Sequence, residues 1–172
     1  EVVDKTILKD KLDVDKEYGQ IVANADTRLD NSNGLKDGKV QVGDKIYNTG
    51  KTNAKNLLGY NTVLYSREND GGENELLVAR ADSNKTSSLE ISATNIDKTV
   101  TARAGGKIML KYWEDKENDR TPKTAYIDAD AKLIYNGKSV PMETALLQPS
   151  FGKLTLLDNN RDDEYDVVFS TE

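Results

Sequence analysis

The chain has 172 residues, with 30 acidic and 24 basic side chains and a formal net charge of -6. It contains no cysteine and no histidine, which excludes disulfides, thiolate metal sites and catalysis by a histidine base. Lysines and acids are interspersed without a basic block, so we expect no nucleic-acid partner. No apolar run has the roughly 20 residues that cross a bilayer, so we expect no membrane insertion either.

Short apolar runs bounded by Gly, Asn and Asp predict β-strands along most of the chain. Residues 1–18 precede the first clear run, and we expect them to be an extended lead-in segment. The predicted strands cover residues 20–25, 39–42, 45–48, 61–66, 75–80, 87–92, 107–113, 124–127, 132–135, 153–157 and 166–170. Two short helical turns are predicted over 53–59 and 141–147, where Asn53 can cap the first and Pro141 can open the second.

An internal repeat organises these elements. The same features recur in the same order about ninety residues later. The matching pieces are 19–22 with 106–109, 45–48 with 133–136, 50–51 with 137–138, 57–58 with 146–147, and the hairpins 63–78 and 155–169. The repeat predicts an all-β protein of two tandem related modules over residues 19–98 and 99–172. Each module is expected to be a small β-barrel or sandwich with one short helical turn.

The last predicted hairpin carries the strongest candidate site. Oxygen-bearing side chains stand at Asp158, Asn160, Asp162 and Asp166, and this spacing is typical of a tight loop around calcium. The Glu164 carbonyl is a further candidate ligand, and weak affinity is expected. Under the other interpretation, the loop is a solvated acidic tip that discourages pairing with other chains. The corresponding tip at residues 66–75 has two glycines but fewer oxygen ligands, so it is the weaker candidate.

Trp113 is the single tryptophan and is the last residue of the predicted strand 107–113. Strand alternation places Ile108, Leu110 and Tyr112 on one face and Trp113 on the other. An exposed tryptophan can stack on a sugar ring, which would indicate a carbohydrate-binding module. The alternative is that Trp113 fills the seam between the two modules. The low aromatic content, 6% of the chain, favours this second interpretation.

Three stretches carry a resemblance to a known group of proteins: residues 56–63, 128–138 and 157–169. With them the chain resembles β-rich modules of exported Firmicute cell-surface proteins, of the kind that accompany S-layer homology domains. In such proteins the last loop usually has the pattern D-N-D-G-D-G-x-Y-D, whereas this chain has Asn160, Arg161 and Asp163 at three of those positions. The resemblance implies a structural or spacer role in a wall-anchored extracellular protein, with neighbouring domains as partners and without catalysis.

The sequence therefore predicts a non-catalytic structural module of an exported bacterial cell-surface protein of the S-layer type. The alternative is a module that binds carbohydrate or cell-wall polysaccharide and that calcium could stiffen. A third interpretation, a hydrolase using paired carboxylates, is weak because 30 acids produce many accidental pairs.

Overall fold

The computed structural model describes residues 14–101 and 106–172, and this part of the chain is built from strands joined by turns. The all-β prediction is confirmed. The strands are β1 (Asp15–Ala23), β2 (Lys39–Val42), β3 (Lys45–Asn48), β4 (Asn61–Glu68), β5 (Asn74–Ala81), β6 (Ser87–Ser92), β7 (Ile96–Thr101), β8 (Ile108–Tyr112), β9 (Lys123–Tyr135), β10 (Lys138–Val140), β11 (Lys153–Asp158) and β12 (Glu164–Thr171). Short 3-10 turns cover Ala54–Leu57, Ala93–Asn95 and Thr144–Leu147. Within the described ranges, no helix has the length and apolar character that a membrane crossing requires.

The first five strands form a closed barrel in the order β1-β2-β3-β5-β4. All neighbours are antiparallel except β3 and β5, which run parallel. The long strand β1 closes the barrel because its first part pairs with β4 and its end pairs with β2. Alternate residues face the interior, so Ile21, Val40, Tyr47 and Leu64 are fully buried. The 3-10 turn Ala54–Leu57 lies between β3 and β4.

The remaining strands form a second sheet in the order β6-β11-β12-β9-β8-β7, with β10 paired to β9. The pair of β12 and β9 is parallel, and the other pairs are antiparallel. The core of this sheet is apolar and includes Leu110, Ile127, Leu133, Leu147, Leu154, Leu156 and Val168.

The two sheets have the same neighbour order. Strands β6, β11, β12, β9 and β8 take the places of β1, β4, β5, β3 and β2, including the one parallel pair. Gly59 lies two residues before β4, and Gly152 lies directly before β11. Both glycines have a φ of 88°. The predicted match of 19–22 with 106–109 is wrong, because β8 pairs with β9 as β2 pairs with β3, whereas the counterpart of β1 is β6. Common ancestry of the halves stays a prediction.

The compact units differ from the predicted modules in their limits. Among the described residues, one unit contains 14–28 and 33–84, and the other contains 29–32, 85–101 and 106–172. Residues 87–92 fall in the second unit because β6 pairs with β11 along its whole length. The short piece 29–32 joins the same unit, where the Ser139 hydroxyl donates to the Leu29 carbonyl at 3.2 Å.

Several element limits also differ from prediction. Of the predicted lead-in, residues 1–13 lie outside the described residues, whereas residues 15–18 already pair with β4 as part of β1. The two strands predicted over 124–127 and 132–135 are one long strand, β9. Strands β7 and β10 were not predicted. Both predicted helical turns are present, as 3-10 turns.

Candidate metal site at the acidic hairpin tip

The hairpin of β11 and β12 positions the acidic tip. The strands pair from Lys153 with Thr171 to Leu157 with Val167, and their buried leucines and valines anchor both arms in the core. At the tip, Arg161 and Asp163 adopt positive φ angles of 56° and 66°. Asp tolerates this conformation better than most residues, and Asp163 occupies the turn position where calcium loops normally have glycine. The chain therefore makes the required turn without glycine.

Asp158 is the organising residue of the tip. Its side chain lies inside the loop, with only 3% of the residue exposed. The Asp163 backbone N–H donates to Asp158 Oδ2 at 3.0 Å, and the Asn160 N–H donates to Oδ1 at 3.3 Å. A carboxylate oxygen has two acceptor sites, so these bonds leave capacity for a further ligand.

The other tip carboxylates accept backbone hydrogen bonds in the same manner. The Glu164 N–H donates to Asp162 Oδ1 at 2.9 Å, and the Asn159 N–H donates to Asp166 Oδ2 at 2.7 Å. The Asn160 side-chain oxygen, also predicted as a ligand, accepts the Asp162 N–H at 3.3 Å. The loop backbone thus holds all four predicted ligand side chains, but of these only Asp162 belongs to a group of three carboxylates within 4.8 Å among the described residues.

Sequence reasoning missed Asp128, which belongs to β9. Strands β9 and β12 are parallel neighbours, and Ile127 pairs with Tyr165. Asp128 comes next in β9, where the register shifts before Lys132 pairs with Val167. Carboxylate oxygens of Asp128, Asp162 and Glu164 lie within 4.8 Å of one another. The local sequence gives no sign of this approach, since only the parallel strand pairing joins two segments so distant in the chain.

The concentration of carboxylates changes the titration of the tip. Burial raises the pKa of Asp166, and the negative charges of Asp162, Asp158 and Asp128 raise it further, against a hydrogen bond from the Asn159 N–H. These like charges oppose one another, which makes the ionised loop costly in the absence of a cation.

Lys107 supplies part of the missing positive charge. Its ammonium forms an ion pair with Glu164. The hydrogen bond to Glu164, together with the charges of Glu164, Asp128 and Asp162, raises the pKa of Lys107. Lys107 therefore acts as a built-in counter-cation and would compete with a metal ion for Glu164 and Asp128.

The donor set fits calcium in kind. All candidate ligands are oxygens from carboxylates, an amide or the backbone, which hard cations prefer. An all-oxygen set without histidine or cysteine is unsuited to zinc or copper. The assignment of Asp158, Asn160, Asp162 and Asp166 as calcium ligands stays a prediction, to which the geometry adds Asp128.

The corresponding tip between β4 and β5 has a different chemistry. The Asn69 side-chain oxygen accepts the Gly71 N–H at 2.9 Å and the Glu73 N–H at 3.0 Å. A neutral amide therefore does here what Asp158 does in the other hairpin. Within residues 14–101, no cluster of three metal-ligating side chains occurs at this tip.

Trp113 directly follows β8. The predicted alternation is confirmed, because Ile108, Leu110 and Tyr112 are buried in the core cluster, whereas Trp113 is half-buried. Its backbone N–H donates to the Asn95 carbonyl at 2.8 Å. Both interpretations of the indole, sugar stacking and seam filling, stay predictions.

The first barrel contains an open cavity that sequence reasoning did not predict. Its volume is about 560 Å³, and it lies between the loop before β2 and the outer face of β2 and β3. Its lining residues are Gly34, Leu35, Lys36, Lys39 and Ile46. The cavity therefore combines an apolar floor with two lysine side chains.

Comparison with known proteins gives no relative. No family model matches the chain, and neither a curated protein nor a solved structure matches it.

Proposed function

We propose that this chain is a non-catalytic structural module of an exported bacterial cell-surface protein of the S-layer type, with calcium stiffening its second sheet. The observation that carries the calcium proposal is the approach of carboxylate oxygens of Asp128, Asp162 and Glu164 to within 4.8 Å of one another at the tip of the hairpin. The resemblance of residues 56–63, 128–138 and 157–169 to S-layer-associated modules supports the location and the role. The proposed partners are neighbouring domains of the same surface protein.

Calcium would join three strands at this site. Asp158 closes β11, Asp162 and Asp166 flank the start of β12, and Asp128 belongs to β9. A shared cation would neutralise the repulsion that raises the pKa of Asp166. The loop has asparagine in place of one acid and a competing lysine, so the expected dissociation constant is on the order of 10⁻⁴–10⁻³ M, as in extracellular modules.

The argument for a non-catalytic role rests on residue chemistry. The sequence has no histidine or cysteine, so the commonest general base and the most reactive nucleophile are excluded. The carboxylates of Asp158 and Asp162 accept hydrogen bonds from backbone N–H groups of the loop. Carboxylates used in this way stabilise a turn, which suits a rigid spacer.

The finer fold proposal is a duplicated unit of about ninety residues, within the size range of a small domain. The common neighbour order of the two sheets and the equal φ of Gly59 and Gly152 support it. The break at Ala93–Asn95, where β6 ends and β7 begins, is then a local change in the second copy, corresponding to the bend of β1.

Thermal unfolding with and without calcium tests the proposal. Calcium should raise the melting temperature of the native chain, and chelation should reverse the increase. Asp162→Ala should abolish the response, whereas Asp70→Ala, at the other tip, should keep it. Labelling of intact producing cells with an antibody tests the location, because an intracellular protein is labelled only after lysis. Labelling that requires lysis would overturn the cell-surface role.

A second candidate function is carbohydrate binding, favoured by the cavity on β2 and β3. The strand order of the first barrel is similar to that of OB-type barrels, in which the face of the second and third strands binds oligosaccharides, although a common fold carries many functions. A glycan array compares the two possible platforms. Binding lost in Ile46→Asp would assign the cavity, and binding lost in Trp113→Ala would assign the tryptophan. Turnover of a polysaccharide would overturn both proposed functions.

A further inference from the structure

Three side chains of the first barrel form a second, unrelated constellation. Lys39 and Asn48 are directly opposite each other on the antiparallel strands β2 and β3. Glu73 comes immediately before β5, which runs parallel to β3. The Lys39 ammonium lies 2.6 Å from Asn48 Oδ1 and 2.6 Å from Glu73 Oε2. An amine, a carboxamide and a carboxyl group therefore meet at one point.

We propose that Lys39 and Asn48 become joined by an intramolecular amide cross-link, with Glu73 transferring the protons. This modification goes beyond the proposed structural role and does not depend on calcium. It would bind β2 covalently to β3 at the rim of the barrel.

The reaction needs no external reagent. Glu73 first accepts a proton from the Lys39 ammonium, which leaves a neutral, nucleophilic amine. The amine nitrogen attacks Asn48 Cγ, and the new C–N bond forms while the carbonyl becomes a tetrahedral oxyanion. Proton transfer through Glu73 from the attacking nitrogen to the original amide nitrogen then allows that C–N bond to break. One ammonia molecule leaves, the product is a secondary amide, and no oxidation or reduction occurs.

The short distance between the Lys39 amine and the Asn48 carboxamide is the main source of rate enhancement. Asn48 Cγ is one carbonyl bond beyond Oδ1, so Lys39 Nζ lies at most ~3.8 Å from the carbon that it would attack. Well-oriented groups held at such separations react far faster than the same groups free in water. The ion pair of Lys107 and Glu164 offers a contrast, since its third group is the carboxylate of Asp128, which cannot release ammonia.

The rate of cross-linking depends on whether the proton lies on Lys39 or on Glu73. The hydrogen bond and charge of Lys39 lower the pKa of Glu73, so the resting pair is ammonium and carboxylate. The Lys39 side chain is 26% exposed and that of Glu73 is 55% exposed, so water stabilises this charged form. We therefore expect slow cross-linking that accelerates as alkaline pH removes the lysine proton.

Intact-mass measurement tests the proposal on the whole chain. After incubation at alkaline pH, the mass should be lower by one ammonia molecule. Trypsin does not cut after an acylated lysine, so the digest should contain residues 37–45 joined to residues 46–51 as one branched peptide. In Glu73→Gln, which keeps both reacting groups, the branched peptide should form at least tenfold more slowly.

Lys39→Arg is the matched control. It keeps the positive charge beside Glu73 but has no amine that can form the link. A cyclic imide at Asn33-Gly34 would also release ammonia, but that loss would persist in Lys39→Arg and would give no branched peptide. A native chain that keeps its full mass at alkaline pH, or that loses ammonia as fast in Lys39→Arg, would overturn the cross-link.

Discussion

The two hairpin tips occupy the same place in the same strand order but use different side chains to accept the backbone N–H groups of the turn. Between β4 and β5, the neutral Asn69 side chain accepts two backbone N–H groups. Between β11 and β12, the carboxylate of Asp158 has that role, and the charges of Asp162, Asp158 and Asp128 all act on Asp166. A turn needs only acceptors, and an amide supplies them without charge. The second tip also brings Asp128 from β9 within 4.8 Å of Asp162 and Glu164, and a cation site would explain this approach.

The largest effect is expected at Gly152, before β11. A Cβ there would lie 1.9 Å from the Thr171 carbonyl oxygen, and the residue has a φ of 88°. Gly152→Ala should lower the free energy of unfolding by more than the ~1–2 kcal/mol that a positive φ alone costs. Chemical denaturation measures the loss. The control is Gly137→Ala, at a positive φ of 84° with no atom within 4 Å of the added Cβ. Equal losses would contradict the clash.

The second-largest effect is expected for Asp158→Ala, which should lower the free energy of unfolding. The buried carboxylate accepts two N–H groups, and its removal leaves them without these acceptors, at a cost of ~1–3 kcal/mol. The control Asp70→Ala alters an exposed acid at the Asn69 tip and should change stability by less than ~0.5 kcal/mol. Urea denaturation without calcium compares them. Similar losses would show that Asp158 does not organise its loop.

Lys107→Gln probes the competition between lysine and metal. The substitution removes the ammonium that pairs with Glu164 but leaves every proposed ligand in place. Calcium affinity should rise by about threefold to tenfold, in line with the loss of one nearby positive charge. Titration calorimetry provides the measurement, and Lys153→Gln, which breaks an exposed ion pair with Glu90, is the control. Unchanged affinity in Lys107→Gln would remove Asp128 and Glu164 from the metal's surroundings.

The smallest effect is a pH dependence centred on Asp166. Its folded-state pKa is raised by burial and by neighbouring carboxylates, so the folded chain holds this proton to higher pH than the unfolded chain. The associated stability is present below the ordinary Asp pKa of about 3.9 and is lost as pH rises through the raised value. Without calcium, Asp166→Asn should therefore show a smaller fall in stability across that window. An identical pH profile in both proteins would contradict the raised pKa.

The sequence was informative where local alternation decides structure. Ile108, Leu110 and Tyr112 alternate in β8 as predicted, and β11 lies where a strand was predicted. It was less informative where neighbouring strands decide. Asp and Ala are poor strand formers, and the sequence pattern therefore predicts a break at residues 128–131 between two strands. Pairing with β8 at one end and with β12 through both ends keeps β9 continuous.

The candidate site shows the same limit. The loop ligands follow from their spacing, because all four lie within nine residues. Asp128 and Lys107 could not be found this way, since their approach depends on the parallel pairing of β9 with β12 and on the antiparallel pairing of β8 with β9. The Lys39, Asn48 and Glu73 group likewise requires the parallel pairing of β3 with β5.

Calcium titration by calorimetry on the native chain and on Asp162→Ala tests the central claim most directly. We predict one binding event with a dissociation constant on the order of 10⁻⁴–10⁻³ M in the native chain and none in Asp162→Ala. Asp70→Ala should bind as the native chain does. A native chain that shows neither binding heat nor a calcium-dependent rise in melting temperature would contradict the claim.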